Sequence, residues 1–165
     1  MAARARRVLA DCERALTDFE ASAGTDFQHT RWVALIAMLR AVGHVLEAVD
    51  GRAAGPEIKK RLDAAWQRLS AEKNRPRAQP HIFHDFIFAE RNDTLKEYEI
   101  GAAVNITIKV PSVGWMPVST DPRGGTTTTT YEWVMRDGPY KGRDPRELAR
   151  DAIRFWQTYL DNAGI

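Results

Sequence analysis

The sequence contains a single cysteine, Cys12, among its 165 residues. A disulfide within the chain is therefore impossible, and no metal site built from several cysteines exists. Cys12 follows the apolar spacing of a predicted helix, so we expect it to be a small, buried core residue. These facts exclude the disulfide-stapled secreted scaffolds and the cysteine-bound zinc domains.

The chain also lacks a large excess of charge of either sign. Its formal net charge is +2 and its isoelectric point is near 8.8. Any basic surface must therefore come from local clustering of lysine and arginine, so the composition permits RNA binding without arguing for it. With 44% hydrophobic residues, the chain can form one folded domain over residues 1–165.

No signal-peptide pattern and no uninterrupted apolar run of about 18 residues is evident. We therefore expect a cytoplasmic protein with no membrane partner. A metal-binding motif such as His-Glu-x-x-His is also missing. His81 and His84 stand three residues apart beside Asp85, but a zinc site needs a third ligand at recognisable spacing. The sequence therefore predicts neither a metal nor a cofactor.

Apolar residues recur at three- and four-residue steps in five segments, which predicts five helices. Pro56 opens the third segment, Pro80 precedes the fourth, and Asp144-Pro145 is a start signal for the last. Thr25 and Gln28 have the spacing of a capping box before the second helix. The predicted helices cover about residues 3–22, 25–50, 56–72, 82–98 and 144–162.

Between the fourth and fifth helices the periodicity changes to two. Apolar and polar residues alternate over 100–110, and a second run rich in β-formers covers 126–135. The two runs predict an antiparallel β-hairpin at about 99–136, inserted before the last helix. Its apolar face, with Trp115, Tyr131 and Trp133, should pack on the helices or contact a partner. The connecting loop, 111–125, is long for a hairpin, which is typical of mobile or functional loops. The fold class is therefore mainly α: a bundle of about five helices with an inserted hairpin.

The fourth helix ends in the sequence Arg91-Asn92-Asp93-Thr94-Leu95-Lys96-Glu97-Tyr98. On an α-helix the side chains of Asn92 and Lys96 share a face, and Arg91 lies on the neighbouring one. This segment resembles the R-x4-H-x-Y signature of the HEPN superfamily, with Lys96 in place of the histidine. The resemblance implies an all-helical domain, dimeric through the motif helix, that binds RNA and cleaves it without a metal.

The resemblance also implies the site residues. Arg91, Lys96 and Tyr98 take the positions of the catalytic motif, and Arg91, Asn92 and Lys96 are expected to bind RNA. A guanidinium matches two phosphate oxygens. A lysine, with an ordinary pKa of about 10.4, is a poor general base near neutrality. We therefore expect the activity of a metal-independent endoribonuclease to be weak or absent.

Two arginines outside the motif join the candidate RNA-binding residues. Arg75 and Arg77 lie in the proline-containing connection 73–80, just before the motif helix. An exposed connection of this kind can contact phosphate, or it can be a solvated linker. The same alternative applies to Arg91 and Lys96, which can be ordinary solvated charges on the surface of a helix.

Two classes of function follow. The first is a HEPN-like RNA-binding protein, part of a defence or toxin–antitoxin system and acting with a protein partner. The second is a non-enzymatic interaction or scaffold protein that kept the fold and lost the chemistry.

Overall fold

The computed structural model describes residues 3–109 and 128–164. It is mainly helical, with five helices and a two-stranded antiparallel hairpin before the last helix, which confirms the predicted fold class. The predicted loop 111–125, with Trp115, lies outside the described residues.

The first two helices form the largest packed pair. Helix α1 spans Ala3–Glu20, and helix α2 spans Gln28–Ala53 with one π-helical turn at Leu46–Asp50. The predicted capping box before α2 is wrong, because no side chain caps this helix and the Thr25 hydroxyl donates to the Ser22 carbonyl at 2.8 Å. Cys12 is buried as predicted, and burial raises the pKa of its thiol to about 12.

Helix α2 is the most apolar helix among the described residues. Its most apolar 18-residue window has a mean hydropathy of 1.6, so by length and composition it is apolar enough to cross a membrane. The apolar side chains of its core-facing stripe are buried. They pack into one core with aromatic residues from α1, the fourth helix and the last helix, and the buried members of α2 include Trp32, Leu35, Ile36, Leu39 and Val42.

Helix α3 spans Pro56–Ala71 and ends in a short 3₁₀ turn at Glu72–Asn74. The fourth helix, α4, occupies residues 82–97 and carries the motif. Its first part, Ile82–Phe88, and its last part, Asp93–Glu97, are π-helical, and Ala89–Asn92 between them is α-helical. π-Helical turns are rare and are found frequently at functional sites.

The hairpin pairs strand β1, Ala102–Lys109, with strand β2, Thr128–Met135. Its base is fixed to the bundle by Trp133, which is buried opposite Val104 and lies 4.6 Å from the ring of Phe19. Farther out on the same face, Ile106 and Tyr131 pair across the strands. Their side chains are 52% and 47% exposed. Among the described residues, the hairpin packs on the bundle at its base, and the Tyr131 ring also lies against Gly24 between α1 and α2.

The last helix, α5, spans Pro145–Asn162. As predicted, the Asp144 side chain caps it by accepting a hydrogen bond from the backbone N–H of Arg146 at 2.8 Å. The buried face of α5 contributes Trp156, which is fully buried against Phe83 of α4. This contact closes the bundle around the motif helix.

Candidate functional site

The start of α4 is held by side chains that satisfy its free backbone donors. His81 Nδ1 accepts from the backbone N–H of Phe83 at 3.2 Å, and Asp85 accepts from the backbone N–H of His81 at 2.6 Å. Apolar burial of Phe83, Phe86 and Ile87 then fixes the rotation of the helix. As a result the motif residues on the other side of α4 face outward.

Arg91 is half-buried and is held in place by its neighbour. Its Nη1 donates to the side-chain oxygen of Asn92 at 3.0 Å, and within the described part of the chain it forms no ion pair. Asn92 therefore orients the guanidinium and leaves its charge without a compensating carboxylate. A guanidinium fixed in this way is suited to an external anion.

A second arginine lies within electrostatic reach of the first. Arg40, near the middle of α2, is close enough for the charge of Arg91 to lower its pKa, an effect second to that of burial and opposed by Glu47. The Arg40 Nη1 is buried with no hydrogen-bond partner among the described residues. Two guanidiniums within electrostatic reach of each other, neither in an ion pair with a described carboxylate, form a local concentration of positive charge.

Aromatic rings hold Arg40 in position. Its Cζ lies 5.7 Å from the ring centroid of Trp66, 5.8 Å from that of Phe83 and 5.8 Å from that of Phe88. Cation–π contacts of this kind stabilise the charge and restrict the side chain. Lys73 Nζ lies 5.2 Å from the Phe88 ring, so a third cation borders the same group.

Lys96 completes the group. It is exposed and forms no ion pair in the described ranges. Lys96 lies in the π-helical turn Asp93–Glu97, roughly one turn beyond Arg91 along α4. We call Arg40, Lys73, Arg91 and Lys96 the cationic patch.

The sequence predicted that the fourth helix would include Tyr98, but the helix ends at Glu97. The backbone of Tyr98 is left-handed, with φ of 57°, and terminates α4. The side chain is 74% exposed, and its ring centroid lies 4.7 Å from that of His29 on α2. Tyr98 therefore leaves the line of Arg91 and Lys96 and lies against the start of α2.

The two arginines of the connection are engaged with carboxylates. Arg75 pairs with Glu72 at 3.2 Å, while Arg77 pairs with Asp85 at 3.1 Å and donates to the Glu72 carbonyl at 2.7 Å. Because Asp85 also holds the backbone of His81, Arg77 stabilises the start of α4. Neither arginine belongs to the cationic patch.

The histidines of α4 also have structural partners. His84 is buried, and its Nε2 lies 2.7 Å from the carbonyl oxygen of Leu69. The ring of His81 lies 5.0 Å from that of His84. Within residues 3–109 and 128–164, no group of three or more His, Cys, Asp and Glu side chains is arranged to hold a metal ion.

Sequence reasoning missed Arg40, although a signal was present. Between Trp32 and Leu46 it is the one Lys, Arg, Asp or Glu residue in the most apolar helix of the chain. A charge in such a segment costs free energy unless it has a role or a partner. Its proximity to Arg91 is a tertiary contact that periodicity does not reveal.

Comparison of the chain with protein-family models, with curated proteins and with solved structures finds no significant match.

Proposed function

We propose that this chain is an RNA-binding protein that contacts the phosphate backbone through the cationic patch. One observation carries the proposal: Arg40 of α2 lies over the Phe88 ring of α4, within electrostatic reach of Arg91, and neither arginine forms an ion pair with a described carboxylate. Two like charges held near each other repel. A phosphate bound between them attracts both, which offsets the repulsion. Arg91 keeps the role that the HEPN resemblance implies, and Arg40 is added to it.

The surroundings of the pair favour an extended anion. Lys73 lies on one side, beside Phe88, and Lys96 lies on α4 beyond Arg91. Several cations in a group attract consecutive phosphates and release counterions from the nucleic acid, which gives affinity without sequence specificity. The proposed contacts are therefore to the backbone of RNA, with Asn92 positioning Arg91.

Cleavage is proposed to be weak or absent. The HEPN pattern places a histidine where this chain has Lys96, and Lys96 is exposed to solvent. A lysine serves as a general base only when burial or a neighbouring cation favours its neutral form. Lys96 is therefore assigned to holding phosphate by charge, and Tyr98 is assigned no proton transfer because it lies against His29.

We further propose assembly through α4. Leu95 is 50% exposed on this helix, next to the motif residues, and is available to a second copy of the chain. The alternative function, a non-enzymatic interaction protein of a defence or toxin–antitoxin system, is favoured by a different surface. The outer half of the hairpin exposes Ile106, Ile108 and Tyr131, which is unusual for a monomer and suits a protein partner.

Replacing Arg91 with alanine tests the RNA proposal. We expect the variant to bind a labelled single-stranded RNA about tenfold to a hundredfold more weakly, since a hydrogen bond to a charged group contributes about 1.5–3 kcal/mol. The slope of log K against log salt concentration should also fall in magnitude by about one. Fluorescence anisotropy at several salt concentrations measures both, and a gel assay without added metal reports cleavage.

The matched control is Arg52→Ala, which removes an exposed arginine near the end of α2, outside the patch. It should change affinity by about twofold or less, as expected for one screened surface charge. Arg40→Gln should resemble Arg91→Ala. If both patch variants bind as the native chain does, or if the native chain does not bind RNA at all, the proposed function is wrong.

A further inference from the structure

A cavity of about 690 Å³ lies away from the cationic patch, between the start of α2, the end of α4 and the base of the hairpin. Its size is within the range of small-molecule sites. The residues that matter most in its wall are His29, Trp32, Glu90, Asp93, Tyr98 and Asp137. Their chemistry is opposite to that of the patch, because carboxylates predominate.

Glu90 is the fixed element of this wall. It is 6% exposed, and its Oε1 accepts hydrogen bonds from Trp32 Nε1 at 2.6 Å and from the backbone N–H of Gly101 at 2.9 Å. Its Oε2 accepts no hydrogen bond from the described residues. This oxygen is accessible from the cavity, so it can accept a hydrogen bond from a donor that enters there.

The backbone is adapted to this carboxylate. A Cβ atom at Gly101 would lie 2.6 Å from Glu90 Oε2 and 2.8 Å from the Cε of Met135. Glycine at this position therefore lets strand β1 begin directly against the carboxylate. Glu90 is built into the cavity wall and does not merely extend from its rim.

Further negative charge surrounds Glu90. Asp93 and Asp137 line the cavity near it, and each of them raises the pKa of Glu90, after the larger effect of burial. Burial, Glu97 and Asp137 raise the pKa of Asp93 in turn. Among the described lining residues, Arg136 is the one lysine or arginine. The cavity therefore attracts cations.

Aromatic groups complete the wall. The fully buried Trp32 lies behind Glu90, and the rings of His29 and Tyr98, tilted by 37° to each other, border the opening. The Nε2 of His29 is buried and has no hydrogen-bond partner among the described residues. Carboxylates combined with aromatic faces are the arrangement that binds guanidinium and ammonium groups.

We propose that this cavity binds an organic cation carrying a guanidinium or primary ammonium group, which donates to Glu90 Oε2 and is held by Asp93 and Asp137. The ring of Tyr98 covers the bound cation from the open side. The site is separate from the RNA-binding patch and does not depend on the proposed function. The cation comes either from a free small molecule or from an arginine or lysine side chain of a peptide.

The test uses a matched pair of probes, butylguanidine and its neutral isostere butylurea, with binding measured by isothermal titration calorimetry. We expect butylguanidine to bind with 1:1 stoichiometry and butylurea to bind at least about tenfold more weakly, because only the first carries the charge that the carboxylates attract. A glycyl-arginyl-glycine amide distinguishes the sources. Tighter binding of this peptide assigns a peptide side chain, and equal or weaker binding assigns a free small cation.

Two exposed carboxylates allow variants that leave the core intact. The double variant Asp93→Asn/Asp137→Asn should weaken butylguanidine binding by about tenfold, while the control Asp63→Asn on α3, outside the cavity, should leave it unchanged. Arg91→Ala should also bind butylguanidine normally, and this separates the cavity from the RNA proposal. Equal binding of the two probes, or equal behaviour of the double variant and the control, would overturn the proposal.

Discussion

Replacing Glu90 with alanine is expected to lower the free energy of unfolding by about 2–4 kcal/mol, since each buried donor left without its acceptor costs about 1–3 kcal/mol. The two donors are the indole N–H of Trp32, which is fully buried, and the backbone N–H of Gly101. Burial disfavours the ionised form of Glu90, so removing this group regains some stability and offsets part of the loss. Urea denaturation at constant pH measures the difference.

Glu90→Gln is the control for this variant, because its side-chain oxygen can still accept from both donors. Burial raises the pKa of Glu90 in the folded chain above its ordinary value of 4.5. The stability that comes from this raised pKa is fully present below pH 4.5 and is lost as the pH rises through the folded-state value. The glutamine variant does not titrate, so its stability relative to the native chain should increase from pH 4.5 to pH 8.

Two results would contradict this account of Glu90. The first is equal stability of the alanine and glutamine variants, which would mean that the hydrogen bonds to Trp32 and Gly101 contribute nothing. The second is a difference between native chain and glutamine variant that does not change with pH. In that case the carboxylate would have the same pKa in the folded and unfolded chain.

Replacing Gly43 with alanine is expected to destabilise the fold by about 1–3 kcal/mol, the usual cost of overpacking a core. A Cβ at Gly43 would lie 2.5 Å from Cη2 of Trp156 and 3.3 Å from Cζ3 of Trp66. Trp156 is fully buried and cannot move outward without disturbing α5. In an unhindered helix the same change would stabilise by about 1 kcal/mol, so the sign of the effect reports the close helix contact. Thermal and urea denaturation measure it.

Gly51→Ala is the matched control on the same helix. The nearest atoms to its added Cβ are the Leu46 carbonyl oxygen at 3.2 Å and Leu62 Cδ1 at 3.3 Å, so shifts of a few tenths of an ångström are needed and the change should stay within about 1 kcal/mol. Combining Gly43→Ala with Trp156→Phe gives a double-mutant cycle, in which the smaller ring should recover part of the loss from Gly43→Ala. If Gly43→Ala is neutral or stabilising, α2 and α5 do not pack as closely as described.

The helices and the hairpin were predictable because their signals are local. Periodic burial, prolines at helix starts and the Asp144 cap act within a few residues of one another, and the structure confirms the resulting fold class. The capping box at Thr25 failed although its spacing was correct. The Thr25 hydroxyl donates to the Ser22 carbonyl, a competing local hydrogen bond that residue spacing does not reveal.

The candidate site was predictable only in part. The motif was correctly placed at the end of a helix, but the π-helical turns of that helix, such as Asp93–Glu97, have no simple sequence signal. Arg77 looked as available as Arg91 in the sequence, and the fold pairs it with Asp85. Whether an arginine is available to a ligand depends on which carboxylates lie within reach, and that is a property of packing.

The sequence by itself determined five helices, a β-hairpin before the last of them and a motif with Arg91 and Lys96 on one helix. Tertiary structure decided that Arg40 lies within electrostatic reach of Arg91 and that Glu90 is buried against Trp32 and Gly101. The physical reason is the distance along the chain over which each kind of interaction acts. Helix and strand signals act between near neighbours in the chain, whereas the charge environment of a side chain is set by residues that only folding brings together.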